Sequence, residues 1–131
     1  MVTYALDTNT LSYYMRRQGG VVARVQAQSP RQIVLPAIVV YEVNFGLRRA
    51  GRRDSLNAFS KMVQASVVLE FDAEAADHAA RISLVLEAAG TPIGGPDLLI
   101  AATARRHGCT LVTHNTGEFA RVPHLAIEDW Y

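Results

Sequence analysis

Apolar and polar positions along this chain follow two periods in turn. Val2-Thr3-Tyr4-Ala5-Leu6 is a nearly continuous apolar run closed by Asp7, the pattern of a strand buried on both faces of a parallel sheet. Residues 8–17 switch to helical spacing, with Leu11, Tyr14 and Met15 on one face, until Gly19-Gly20 breaks the pattern. Residues 21–28 predict a second short helix, stopped by Ser29-Pro30, and Ile33-Val34-Leu35 a short strand that Pro36 ends. Two amphipathic helices follow, separated by Gly51: residues 37–50 with Val39, Val43 and Leu47 on one face, and residues 52–65 with Leu56, Phe59 and Val63.

The second half repeats the alternation. Residues 67–71 are rich in β-branched and aromatic side chains and predict a strand. Asp72 is a fitting N-cap for a helix over residues 73–89, which Gly90 closes. After a glycine–proline loop at 91–96, residues 97–107 predict a helix that packs through Leu98, Ile100, Ala101 and Ala104 and stops at Gly108. Residues 110–113 predict a strand, 115–120 a short helical turn and 125–127 a final edge strand. Strands alternating with helices imply an α/β fold on a mostly parallel sheet, with residues 1–131 as a single domain. Ligands on such sheets bind beyond the carboxyl ends of the strands, where Asp7 and residues 113–118 fall.

Composition narrows the class. Half the residues are apolar and 19% are charged, the balance of an ordinary globular protein rather than a disordered tail. The lone Cys109 excludes an internal disulfide and a cysteine zinc cluster. No basic stretch followed by an apolar run marks a signal peptide, and apolar stretches such as residues 37–41 are far too short to span a bilayer; we expect a cytoplasmic protein. A net charge of +1 announces no nucleic-acid binder. The kind of base says more. All the basic residues except Lys61 are arginines, many in pairs: Arg16-Arg17, Arg48-Arg49, Arg52-Arg53 and Arg105-Arg106. Any one pair can simply close a helix or lie on a solvated face. Four pairs around an acidic centre would suit a polyanion, because guanidinium forks match phosphate.

The acidic centre is the candidate chemistry. Asp7, Glu42, Asp97 and Glu118 are distant in sequence, yet strand–helix alternation brings them towards one end of the sheet. At about 5 Å and an effective dielectric near 20, each pair of carboxylates repels by roughly 3 kcal/mol, and a divalent cation is the simplest group to offset that. Each acid also has a plainer reading. Asp7-Thr8-Asn9 can be a helix cap, Asp97 a first-turn acid favoured by the helix dipole, and Glu42 a solvated charge on a largely apolar helix. No histidine pair has metal spacing, no Gly-x-Ser-x-Gly elbow supports a triad, and no glycine-rich loop with Lys cradles phosphate. A haloacid-dehalogenase phosphatase would want Asp where this chain has Asn9.

The ordered set of motifs resembles the PIN-domain ribonucleases, and within them the VapC-type toxins of bacterial toxin–antitoxin pairs. The matching residues are Leu6-Asp7-Thr8-Asn9, Tyr41-Glu42 with Gly46, Thr91-Pro92-Ile93-Gly94 leading to Asp97-Leu98-Leu99-Ile100-Ala101-Ala102, Leu111-Val112-Thr113 with Asn115-Thr116 and Glu118-Phe119, and the closing Glu128-Asp129-Trp130. The resemblance implies a three-layer α/β/α fold. It also implies that Asp7, Glu42 and Asp97 hold a metal ion. The family's fourth acid commonly follows the last strand's threonine by two positions, where this chain has Asn115. Asn115 offers a neutral carbonyl oxygen, and Glu118, one helical turn on, is the candidate for the missing carboxylate. The departure bears on a second metal site more than on the first.

Oxygen-only ligands fit Mg²⁺ or Mn²⁺. The chemistry expected of such a site is attack of a metal-activated water on phosphorus, and the resemblance implies RNA cleavage that leaves a 3′-hydroxyl and a 5′-phosphate. Thr8, Thr113 and Arg48 are the candidate substrate contacts. The resemblance further implies a VapB-type antitoxin partner, a homodimer, and a structured RNA target, a tRNA anticodon loop. Leu47, Phe45 and the Tyr13-Tyr14 pair are candidates for the antitoxin groove or the dimer. The competing readings are a non-catalytic PIN-fold module that binds RNA or protein, and a metal-dependent phosphomonoesterase.

Overall fold

The computed structural model describes every residue from Met1 to Tyr131. Its strands are β1 (Tyr4–Leu6), β2 (Ile33–Pro36), β3 (Val67–Leu69), β4 (Thr110–Val112) and β5 (Ile127–Glu128). The helices are α1 (Thr8–Arg16), α2 (Val21–Gln26), α3 (Ala37–Arg49), α4 (Arg53–Ala65), α5 (Ala73–Ala88), α6 (Gly95–Arg106) and α7 (Thr116–Phe119), with a 3₁₀ turn at Pro30–Gln32. The strands form one sheet in the order β3-β2-β1-β4-β5, and every pairing is parallel. All four residues of β2 are buried, as are the last two of β1 and of β4, so helices cover both faces and the fold has three layers.

Strand order places the site. The chain steps outward from β1 through β2 to β3, then returns to β4 on the other side of β1. The connections on the two sides of β1 therefore diverge, and the crevice at the carboxyl ends of β1 and β4 lies at this switch point. Asp7 leaves β1 there, and its N–H donates to the Val112 carbonyl at 3.1 Å, which ties the start of α1 to the end of β4.

The core joins the central strands to Leu11, Val39, Phe59, Ile82, Ile100 and Phe119, all at 1% exposure or less. α6 is buried over Ile100, Ala101, Ala102, Thr103 and Ala104; small side chains let it lie against its neighbours on most sides. The Thr103 hydroxyl is satisfied within the helix, donating to the Leu99 carbonyl at 2.7 Å. α5 and α6 pack as an antiparallel hairpin, with Asp72 at the start of α5 beside Arg106 at the end of α6.

Several boundaries differ from the sequence expectation by a residue or two, and three of them have a clear physical reason. α6 begins at Gly95 rather than residue 97, because Pro96 suits a first turn whose N–H groups have no intrahelical partner. β3 stops at Leu69; beyond it Asp72 caps α5, its carboxylate accepting the Ala75 N–H at 2.8 Å. β5 occupies Ile127–Glu128 instead of 125–127. Its register is set by the Leu111 N–H donating to the Ala126 carbonyl and the Thr113 N–H donating to that of Glu128, at 2.8 and 2.9 Å. His124 turns with φ 58 just before it.

Candidate active site

Asp7 both caps and faces the crevice. It is 5% exposed, and its Oδ1 accepts the Thr10 N–H at 2.8 Å, which leaves Oδ2 free. Glu42 lies on α3 beside buried Val43, and its Oε1 accepts the Thr8 hydroxyl at 2.5 Å. α1 thus aims a side chain of α3. Asp97, in the first turn of α6, receives no hydrogen bond from the chain. Asn115 and Glu118 form a pair on the loop after β4, with Asn115 Nδ2 donating to Glu118 Oε2 at 2.9 Å. The Gly94 N–H points at the other Glu118 oxygen from 3.4 Å, the kind of backbone approach the glycine loop permits. Thr113 is fully buried and its Oγ1 accepts the Asn115 N–H at 3.0 Å. Thr113 therefore holds the loop, and Thr8 orients a carboxylate; neither presents a free hydroxyl to a substrate.

The electrostatics join these distant residues. Burial pushes the Asp97 carboxyl up to about 6, and the negative charges of Glu118, Asp7 and Glu42 push the same way. Four carboxylates from separate parts of the chain share one field, and no basic group relieves Asp97. The carboxylates do not close on one another, for no three acidic, histidine or cysteine side chains meet the spacing of a ready metal cage. This arrangement suits a hard cation that keeps much of its water shell, as Mg²⁺ does, better than one needing a full protein shell such as structural zinc. Asp7, Glu42 and Asp97 each keep a carboxylate oxygen that takes no hydrogen bond from the chain, while Asn115 and Glu118 bond each other.

A groove of about 910 Å³ opens from Thr8 and Glu42 and runs between α1, α2, α3 and α4. Tyr14, Leu47, Phe59 and Met62 give it an apolar floor, and Arg16, Arg17 and Arg52 line it. Of the four residues expected at a groove or dimer face, Tyr14 and Leu47 are in the groove. Tyr13 instead packs edge-on against Tyr131 at 4.7 Å, and Phe45 is 48% exposed and stacks with Tyr41. Arg48 is exposed on the last turn of α3, outside the groove lining. Arg105-Arg106 corrects the expectation of four pairs around the acids: both close α6 at its far end, bonded to His78 and Asp72.

Sequence reasoning missed the company of His114. Its Nδ1 lies 2.9 Å from Asp129 Oδ2, and its ring stacks on Tyr131 at 4.5 Å. It reads as a solvated loop residue because its partners follow 15 or more positions later. The only sequence signal was the closing Glu128-Asp129-Trp130.

Comparison with known proteins agrees with this geometry. Residues 4–125 match the family model of the PIN domain. The chain is 30% identical over 131 residues to a tRNA(fMet)-specific endonuclease VapC of Shigella flexneri, with 99% of each chain covered. It is 29% identical, again over 99% of each, to the protein of the same name from Salmonella typhimurium. A crystal structure of DNA-bound VapBC from Salmonella typhimurium superposes with a TM-score of 0.91 at 29% identity, covering 100% of both chains. One of FitAcB from Neisseria gonorrhoeae gives 0.84 at 28% identity, over 95% and 96% of the chains. With acids following β1 and opening α6, a crevice at the β1–β4 switch point and these matches across its length, the chain belongs to the PIN-domain family, among its VapC ribonucleases.

Proposed function

We propose that this protein is the toxin of a type II toxin–antitoxin pair, a Mg²⁺-dependent endoribonuclease that cuts a structured RNA, with a tRNA anticodon loop as the substrate class. The observation that carries the reading is Asp97: a half-buried carboxyl held at about 6 by burial and by Glu118, Asp7 and Glu42. A chain with no use for that repulsion would not need to keep it. PIN-domain nucleases generally depend on divalent metal ions. When bound, such an ion supplies Lewis acidity towards phosphate and brings a water's pKa towards neutrality.

The chain's own residues prepare that chemistry. Asp7, Glu42 and Asp97 would hold the ion as carboxylates. Thr8 fixes the rotamer of Glu42, while Asn115 and Gly94 hold Glu118 from two sides. The groove beside Thr8 and Glu42 takes an extended segment of a VapB-type antitoxin, with its apolar floor for side chains and Arg16, Arg17 and Arg52 for acidic groups. VapBC complexes among the structural relatives support this. Arg48 remains a candidate phosphate contact at the α3 corner. Exposed Tyr41, Phe45, Leu84 and Val85 supply apolar surface for a homodimer. No helix is long and apolar enough to cross a membrane.

The test is cleavage of end-labelled tRNA by the purified protein. Expected are cuts with Mg²⁺ that leave 5′-phosphate ends, and no cuts with EDTA or in Asp7→Asn. Cleavage indifferent to EDTA and to Asp7→Asn overturns the metal reading. RNA binding without cleavage under all conditions makes the chain a binding module.

A further inference from the structure

The loop that carries Asn115 and Glu118 has little holding it from within. His114, Asn115, Thr116 and Gly117 are all exposed, and only Thr113 before them and Phe119 after them are buried. α7 is a single turn of four residues, too short to be stable by itself. What grips the loop comes from the end of the chain. Asp129 uses both carboxylate oxygens there: Oδ2 meets His114 Nδ1 at 2.9 Å, and Oδ1 accepts the Tyr131 N–H at 3.0 Å. The Tyr131 ring stacks on His114 at 4.5 Å with 27° between the planes, and Tyr13 of α1 packs edge-on against both rings, 4.7 Å from Tyr131 and 6.2 Å from His114.

This segment is itself anchored. The Trp130 ring is 2% exposed and packs on Tyr4 of β1 at 4.9 Å. Glu128 Oε1 accepts both Trp130 Nε1–H and the Arg24 guanidinium, at 3.0 and 3.1 Å. The Gly20 N–H donates to the Tyr131 carbonyl. At Gly19, with φ +64, a Cβ would lie 2.8 Å from that carbonyl oxygen, so only glycine allows the approach.

We propose that Asp129 and Tyr131 are positioning residues for the reaction: by clamping the His114 ring they fix the next residue, Asn115, and through its bond to Glu118 the rim of the acidic site. The clamp rests on the ribonuclease reading for its purpose but not for its geometry. Groups that orient the donors around a metal site typically cost about 10–100-fold in metal affinity or activity when removed. Asp129→Ala removes the acceptor, whereas Asp129→Asn keeps an amide oxygen in its place.

Steady-state cleavage and ¹⁵N spectra of the Asn115 side-chain amide, recorded on the full chain, test this. Asp129→Ala is expected to lower kcat about tenfold with KM for RNA unchanged, and to move the Asn115 amide signals towards those of a free side chain. Asp129→Asn is expected to restore both. Tyr131→Ala should follow Asp129→Ala, and Tyr131→Phe the wild type, which keeps the test available should Asp129→Ala fold poorly. Unchanged kcat and Asn115 signals in Asp129→Ala overturn the clamp. So does an equal loss in Asp129→Ala and Asp129→Asn that tracks melting temperature, since that is a structural role only. If the wild type cuts no RNA while the spectra still separate Ala from Asn, the ribonuclease reading falls and the clamp stands.

Discussion

Both ends of α6 gather carboxylates and treat them in opposite ways. At the C-terminal end Arg106 bonds Asp72 at 3.2 Å and Glu74 at 3.2 Å. Arg105 bonds the His78 ring and the Pro123 carbonyl at 2.9 and 3.0 Å. Asp72 is held below the usual carboxylate range, first by the Ala75 N–H and then, against some burial, by Arg106. At the N-terminal end Asp97 is held above that range, by burial and then by Glu118, Asp7 and Glu42. A helix N-terminus favours an anion, so the raised value is the local rule overridden by neighbours. One end spends its charges on stability. The other leaves them uncompensated, and that asymmetry marks it as the candidate functional end.

Neutralising the unpaired end should break the comparison most visibly. Asp97→Asn is expected to cut RNA cleavage by about 10³-fold, roughly 4 kcal/mol of transition-state stabilisation, while the metal-free protein melts no lower than wild type. A loss of both activity and stability would mean that Asp97 is a structural acid like Asp72. The paired end should answer in reverse. Arg106→Ala strands two solvated carboxylates, so a small fall in the denaturant unfolding midpoint is expected, with kcat and KM unchanged. Thr8→Val keeps shape but removes the donor to Glu42. We expect cleavage to fall about tenfold, near the lower value for a hydrogen bond to a charged group, with the unfolding midpoint unmoved.

Much of this contrast was legible in the sequence because its parts are local. Asp72 as the cap of α5 follows from the residue and the helix after it, and Asp7 at the end of β1 from an apolar run that stops at a charge. The order Asp7, Glu42, Asp97 with Asn115 and Glu118 was recognisable as a motif set, and strand–helix alternation put Asp7 and residues 113–118 beyond the carboxyl ends of strands; the strand order that makes a switch point there came only with the structure. What was not legible depends on register and long-range contact. β5 lies two residues later than its apolar pattern suggests, because two backbone bonds to β4 decide it. The Arg105-Arg106 pair looked like the other three pairs, and only the antiparallel packing of α5 on α6 shows that it serves the stable end. His114 and Asp129 carry no pattern that links them.

The smallest expected effect is also the most diagnostic, because the two ends of α6 predict opposite signs. Asp97 has its folded value raised from 3.8 to about 6, so the folded protein binds that proton more tightly than the unfolded chain. Its contribution to stability is fully present below pH 3.8 and is lost as pH rises through about 6. Asp72 is depressed from 3.8; its contribution is present above that value and lost as pH falls through the lower folded value. Between pH 4 and 6 only Asp97 of this pair changes state. The metal-free protein should therefore be less stable at pH 6.5 than at pH 4.5, by about 1 kcal/mol once solvent screening of a half-exposed carboxyl is allowed for, and melt at a lower temperature. That decline should vanish in Asp97→Asn and persist in Asp72→Asn. Saturating Mg²⁺ should reverse it, because cation binding requires the deprotonated carboxyl and strengthens over the same window. A metal-free melting temperature that rises from pH 4.5 to 6.5 would mean that Asp97 is relieved by a partner, and the two ends of α6 would then be alike.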